Sequence, residues 1–302
     1  MDNIFVKSLE LHASYHCNLK CRGCMHLSPL ETPGFIDIDE IIDTLTELKK
    51  YLRTDTIRIL GGEPLLNKNI LDVVYKVKSV GIADKVSLTT NGTLLSKADP
   101  KIWGLLDEVE ISNYKYSKGF IEKLIDDCKK ITANNNIRIS IYNFESFREP
   151  FSEIKNSDIQ LVKDIYNNCL FAREWQCFNV FEGYFFKCPQ AFALSRKLSC
   201  GDYNANGIRI LENSNLHEQL VEYIDSSEPL PSCHHCLGSV GKRFDIQQVE
   251  KPKWMSCQSA DVPSLLDYNF LEESRSKGLQ NVEINTVGTT VILHKGEEVD
   301  VI

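Results

Sequence analysis

The first 150 residues switch repeatedly between an apolar period of two and one near 3.6, and few architectures accept that pattern. VKSLELHAS (6–14), TIRIL (56–60), KVSLTT (85–90), EVEIS (108–112) and IRISIY (137–142) are short β-rich runs. Between them, IDEIIDTLTELKKYL (38–52), NILDVVYKVKSV (69–80), a stretch around 98–106 and GFIEKLIDDCKKI (119–131) carry apolar residues at helical spacing. Strands alternating with helices imply a parallel sheet with helical crossovers. The chain is therefore expected to be α/β, its five strands forming an open sheet or part of a β/α barrel. Chemistry in such barrels gathers at the C-terminal ends of the strands. Cys17, Cys21 and Cys24 follow the first strand, Gly61, Gly62, Glu63 and Pro64 the second, Asn91 ends the third and Ser112 the fourth.

Beyond residue 150 the alternation fades while cysteines and aromatics accumulate. FNVFEGYFFK (178–187) reads as a hairpin turning at Glu182-Gly183. A barrel domain over 1–150, a smaller domain over 151–250 and a C-terminal extension over 251–302 are expected. In the extension, VEINTV and TTVILHK suggest a terminal β-hairpin turning near Gly288. A formal net charge of -8 argues against a protein whose main task is gripping nucleic acid phosphates. The N-terminus lacks a basic segment followed by an apolar run, and no stretch approaches the ~18 apolar residues of a membrane span. A cytoplasmic protein without nucleic acid or membrane partners is expected.

Eleven cysteines are many for such a chain. In a reducing compartment, closely spaced cysteines read as metal or redox sites rather than disulfides. Cys128, Cys200 and Cys257 stand alone and read as small buried hydrophobes. Cys17-Asn-Leu-Lys-Cys21-Arg-Gly-Cys24 differs. Three thiolates on one short loop can wrap three irons of a cubane cluster, and soft sulfur suits iron–sulfur chemistry. No fourth cysteine is near, so one iron keeps an open position, as a catalytic metal requires. A zinc loop completed by His16 or His26 is the competing reading.

The C-x3-C-x2-C spacing, with Gly61-Gly62-Glu63-Pro64 after the next strand, resembles the radical S-adenosylmethionine (SAM) superfamily. The resemblance implies a 4Fe–4S cluster on Cys17, Cys21 and Cys24 that binds SAM. It also implies reductive cleavage of SAM to a 5′-deoxyadenosyl radical, which abstracts hydrogen from a substrate, and an external electron donor such as flavodoxin or ferredoxin. By the same resemblance, Gly61 and Gly62 let the backbone approach the methionyl group and Glu63 pairs with its ammonium. Thr89, Thr90, Asn91 and Ser112 end strands where the family contacts the ribose. One departure is Gly23, since the family often has an aromatic residue before the third cysteine.

Thirteen residues separate Cys169 from Gly183, four separate Gly183 from Cys188, and Cys233-His-His-Cys236 follows. This resembles the auxiliary-cluster domain called SPASM, or its shortened form, twitch. It implies a second, auxiliary 4Fe–4S cluster on Cys169, Cys188, Cys233 and Cys236. Cys177, at the start of the hairpin, can replace Cys169. Paired cysteines with His234 and His235 alongside also suit zinc, although the two histidines are expected to face solvent or to sit behind the metal ligands. A fully ligated cluster most simply accepts or relays an electron.

HCNLKCRGCMHLSPLE, GGEPLL, TTNGTLL and EGYFFKCPQAFAL resemble a SPASM/twitch subgroup found beside polysaccharide genes. That implies a radical SAM enzyme, oxidoreductase-like, acting on a small polar or carbohydrate-linked substrate. Maturation of a ribosomally made peptide is the alternative; relatives of that kind carry a recognition domain ahead of the first cysteine, which here is already at 17. A non-enzymatic zinc-binding interaction module is the third reading. His26, Tyr114 and Arg148 fall near the expected barrel mouth, where structural roles are the simpler reading.

Overall fold

The structure is a computed structural model that describes residues 3–114, 116–198, 202–282 and 291–299. Five strands, β1 (Ile4–Ser14), β2 (Leu52–Gly61), β3 (Ala83–Thr90), β4 (Glu108–Asn113) and β5 (Arg138–Asn143), pair in parallel in sequence order. Helices α1 (Ile38–Leu48), α2 (Ile70–Val80) and α3 (Lys118–Asn134) cross between them. The fold is α/β, a partial (β/α) barrel. The crossover between β3 and β4 departs from expectation: it is two short 3-10 turns, Leu95–Lys97 and Pro100–Gly104. Asp99 caps the second turn and Pro100 opens it.

Register explains why these strands lie together. Leu9 and Leu11 stand beside Ile57 and Ile59, these beside Val86 and Leu88, then Val109, Ile111, Ile139 and Ile141. This apolar face is covered by Ile41, Leu45 and Leu48 of α1, Val73, Val74 and Val77 of α2, and Leu124 and Cys128 of α3. Side chains alternate across a strand, so the opposite face carries Glu10, Arg58, Ser87, Thr89, Glu110 and Ser112. One face of the sheet is thus hydrophobic core and the other a polar wall. Asp37 caps α1 by accepting from the Asp39 and Glu40 amides, and Gly81, at φ 66°, ends α2.

The second segment continues the same sheet. A short strand β6 (Ser146–Arg148) leaves it, but β7 (Phe178–Phe181) pairs in parallel with the free side of β1. β8 (Tyr184–Phe186) and β9 (Gly207–Arg209) follow antiparallel. The β7–β8 turn is Glu182-Gly183, at φ 44° and 77°. β10 (Arg243–Asp245) pairs with β6 in a separate ribbon. β11 (Val291–His294) and β12 (Glu297–Val299) form a hairpin turning at Lys295-Gly296, and β11 extends the sheet beside β5. The turn expected near Gly288, with most of VEINTV, lies outside the described residues.

A second core of Phe151, Phe181, Phe186, Phe192 and Trp254 packs beside the barrel mouth. No disulfide joins two of the described cysteines. Cys128 is buried in the main core, as a small hydrophobe should be. Cys257 is only half-buried, its thiol on the Lys253 carbonyl, and Cys200 lies outside the described residues. No helix among the described residues is long and apolar enough to cross a membrane.

Candidate functional site

At the C-terminal edge of β1 the chain leaves the sheet as the loop that bears Cys17, Cys21 and Cys24. The loop is fixed from two sides. From β2, the Gly62 amide donates to Ser14 O (2.8 Å) and the Glu63 amide to His16 O (3.1 Å). From β3, Asn91 Nδ2 reaches Asn18 Oδ1 (2.8 Å) and Cys17 Sγ (3.6 Å). The expected site residues of three adjacent strands are therefore one hydrogen-bonded assembly.

Several of these residues have partners within the chain. A Cβ on Gly62 would lie 2.0 Å from His16 O, and one on Gly61 2.2 Å from Ser14 O. The space beside these glycines belongs to the chain's own cysteine loop. Gly61, at φ 137°, also occupies backbone space that other residues avoid. Glu63 is fully buried and accepts from Thr90 Oγ1 (2.7 Å), Leu65 N (3.0 Å) and Asn91 N (2.8 Å). Its carboxyl, pushed up by burial and pulled back by these donors, ties the ends of β2 and β3 together. Pro64 opens the short turn after it. Asn91 also accepts from Thr93. Ser112 is buried at the end of β4 beside the Tyr114 hydroxyl, and Thr89 bonds Glu110 (3.3 Å).

Gly23 has a physical explanation. A Cβ there would meet Phe244 Cζ at 2.6 Å and Phe147 Cβ at 3.1 Å. Aromatic rings from the β6–β10 ribbon occupy the place where a side chain at 23 would go. The segment after the ribbon then clamps the loop. Gln248 bridges Cys21, Arg22 N donates to Gln247 O (2.9 Å), Val249 N to Lys20 O (2.8 Å), and Gln248 Nε2 reaches Cys21 Sγ (2.8 Å). Arg22 pairs with buried Glu149, which also accepts from Gln258 (2.9 Å). No local pattern marked Gln248 for this role. Burial pushes the Cys17 and Cys21 thiols up to about 12, so metal binding there releases protons. The donor set, three cysteines on one loop at a strand end, suits a cluster with one iron left open.

A second group of cysteines lines one cleft. Cys169 ends the turn after helix α4 (Ile159–Asn167), Cys188 precedes helix α5 (Pro189–Leu198), and Cys233 and Cys236 come from the Pro231–His234 turn and its end. All four border a cleft enclosing about 350 Å³ with its open mouth, together with Tyr166, Lys187 and Gly238. Gly238 closes the wall: its amide donates to Cys236 Sγ (3.2 Å), and a Cβ would lie 3.1 Å from Cys169 Sγ. Four thiols around one space fit a fully ligated 4Fe–4S cluster. Cys177 is not among the lining residues; the carbonyl of Cys177 bonds Asn179 (2.7 Å) and the thiol faces Glu10. His234 and His235 are turned to the Asn156 and Ser152 carbonyls (2.8 and 3.0 Å). His16 sits on Ser14 and Gly34. Among the described residues no three His, Cys, Asp or Glu side chains converge as a single metal ion would require.

The polar wall of the sheet leads away from the first cysteine loop. Buried Glu10 accepts from Asn179 Nδ2 (3.1 Å), and Asn179 Oδ1 bonds His12 Nε2 (3.0 Å), whose ring meets His26 edge-on at 4.8 Å. Burial pushes Glu10 up to about 7 and His26 down to about 4. Arg58 and Glu110 lie 3.7 Å apart, a third and a quarter exposed. Arg148 is held by Gly241 O and Asp267 and stacks on Phe270, a structural role.

Residues 12–149 match the Radical SAM superfamily. The chain is 34% identical over 134 residues to the GTP 3',8-cyclase of Lactiplantibacillus plantarum, which spans 43% of this chain and 38% of that protein. To the GTP 3',8-cyclase of Clostridium perfringens it is 25% identical over 193 residues, 59% of this chain and 58% of that one. The matched region is thus less than two thirds of these relatives' length. Among solved structures, BtrN in complex with AdoMet and 2-DOIA is 18% identical, covers 78% of this chain and 94% of its own, and superposes with a TM-score of 0.46. Histidine-tagged anSMEcpe with bound AdoMet is 15% identical over 91% of this chain and 98% of that one, also at 0.46.

Proposed function

We propose that this chain, whose residues 12–149 match the Radical SAM superfamily, is a cytoplasmic radical SAM enzyme that removes hydrogen from a small polar, carbohydrate-like substrate. The observation that carries the reading is the assembly at the barrel mouth, where the Cys17–Cys24 loop, Gly61–Pro64 and Asn91 hydrogen-bond to one another. A 4Fe–4S cluster held by Cys17, Cys21 and Cys24, with SAM on its open iron, would supply a 5′-deoxyadenosyl radical as hydrogen acceptor. The chain's own residues bind and orient. Arg58 and Glu110, partly open to solvent on the polar wall, suit hydroxyl-rich or charged groups better than an apolar ligand. Glu10, pushed up by burial to about 7, is hydrogen-bonded to Asn179 within the same wall.

Cys169, Cys188, Cys233 and Cys236 are read as ligands of an auxiliary 4Fe–4S cluster in a domain over 151–250. With all four positions filled by protein, such a cluster would supply an electron acceptor; a substrate that gave a hydrogen atom to the deoxyadenosyl radical, an electron to the cluster and a proton to a base would be oxidised by two electrons. An external flavodoxin or ferredoxin is the electron donor this chemistry calls for.

Iron, sulfide and zinc per chain, after anaerobic reconstitution, test the reading. Wild type is expected to hold about eight irons and the Cys17/Cys21/Cys24→Ala variant about four. Only wild type should release 5′-deoxyadenosine from SAM under a strong reductant. Zinc without iron in the fully reconstituted protein would overturn the assignment.

A further inference from the structure

Lys187 is the one lysine among the largest fully buried side chains, 2% exposed. It lies next to Cys188 in the wall of the four-cysteine cleft. Its ammonium donates to Tyr166 Oη (3.1 Å) and Ser226 O (2.8 Å). The Tyr223 and Tyr166 rings lie 5.2 and 5.8 Å from Nζ. Among the described residues no carboxylate forms an ion pair with it. A lysine is almost never fully buried unless paired, and an uncompensated buried ammonium costs several kcal/mol. Two neutral oxygens and two ring faces offset part of that cost and supply no negative charge.

Lys187 borders the cleft, and Cys188 and Cys233 lie close enough to act electrostatically on its ammonium, with Arg173 opposing its charge and Asp225 favouring it without an ion pair. Four thiolates outweigh the charge of an iron–sulfur core, so a cluster ligated there is an anion. The more reduced cluster carries one further negative charge, and a fixed cation beside it favours that state. Net charge and the polar surroundings of the sulfurs are among the determinants of cluster potential. We propose that Lys187 is the built-in counter-charge of the auxiliary cluster and raises its reduction potential. Tyr166 and Tyr223 hold the ammonium in place. The inference rests on reading the cleft as the site of a 4Fe–4S cluster, and it makes Lys187 a positioning residue that touches no substrate.

The test uses the Cys17/Cys21/Cys24→Ala background, so that a single cluster is observed. Metal content is measured first, then the midpoint potential by a redox titration followed by electron paramagnetic resonance. Lys187→Met keeps the stem and removes the charge. Lys187→Gln keeps a donor for Ser226 O and serves if the methionine variant does not fold. Lys187→Arg keeps the charge. The neutral variants are expected to lower the reduced-to-oxidised ratio at a fixed potential about tenfold, equivalent to 59 mV for a one-electron couple. The arginine variant should stay near the parent. Unchanged midpoints in neutral variants that retain about four irons would overturn the role of Lys187 alone. One zinc and no iron in the parent would instead overturn the cluster reading beneath it.

Discussion

Gly62 has no room for a side chain, because a Cβ would sit 2.0 Å from the His16 carbonyl of the cysteine loop. Neither atom belongs to a flexible side chain, so the loop itself must move. Gly62→Ala is expected to destabilise the fold by about 1–3 kcal/mol and to lower iron bound by Cys17, Cys21 and Cys24, as read by thermal unfolding and iron analysis. Full iron content in a folded alanine variant would contradict it. Glu10 gives a prediction in pH. Desolvation is the main cause of its rise from 4.5 to about 7; Arg58 on β2 and Asn179 on β7 lower it, Glu110 on β4 raises it, and Cys177 lowers it slightly. The folded state holds this proton more tightly than the unfolded chain, so stability falls as pH rises between about 4.5 and 7. Glu10→Gln removes the charged form. It should match wild type near pH 4.5 and exceed it by up to about 3 kcal/mol above pH 7, in urea unfolding across pH. A constant difference at all pH values would rule out a titrating Glu10 as the cause.

Elements were legible where period and partner agreed. Residues 6–14 and 56–60 alternate in the sheet's own period, and 70–80 puts Val73, Val74 and Val77 on one helical face. The stretch around 98–106 has helical spacing, but that spacing does not separate an α-helix from the 3-10 turn found there. The hairpin at 178–187 was readable, but not that β7 would join the free side of β1, since a parallel pairing between segments so far apart in sequence leaves no local trace. That placement puts the Cys177 thiol beside Glu10 and outside the cleft lining, although Cys169 and Cys188 remain near enough to act on it. Cys177 immediately precedes β7 and faces Glu10, whereas Cys169 ends the turn after α4 and enters the cleft. In the Cys17/Cys21/Cys24→Ala background, Cys169→Ala should lose most of about four irons and Cys177→Ala should keep them. The reverse result would move the auxiliary site onto the hairpin.

At the scale of the molecule, the cysteine loop near the N-terminus is held by residues 247–249 near the other end. Spacing identified the cysteines, because thiols on a short loop carry their chemistry in the local pattern. Spacing said nothing about Gln247 and Val249, whose backbone hydrogen bonds are indifferent to side-chain type, nor about Gln248, whose side chain accepts from Lys20 N and donates to Cys21 Sγ. The clamp couples metal binding to distant order. A ligand that binds only the folded loop stabilises every contact that opens with it. The Arg22 amide, on Gln247 O, and the Val249 amide, on Lys20 O, report on that opening. Both should exchange hydrogen at least about tenfold more slowly after iron–sulfur reconstitution, corresponding to about 1.4 kcal/mol. Reconstitution of the Cys17/Cys21/Cys24→Ala variant should leave both rates unchanged. Gln248→Ala should reduce the gain in the wild-type background, since it removes the side-chain donor to Cys21 Sγ while the backbone bridge remains. Slowing at Arg22 but not at Val249 would mean that the loop orders on its own, with the C-terminal segment resting against it rather than holding it.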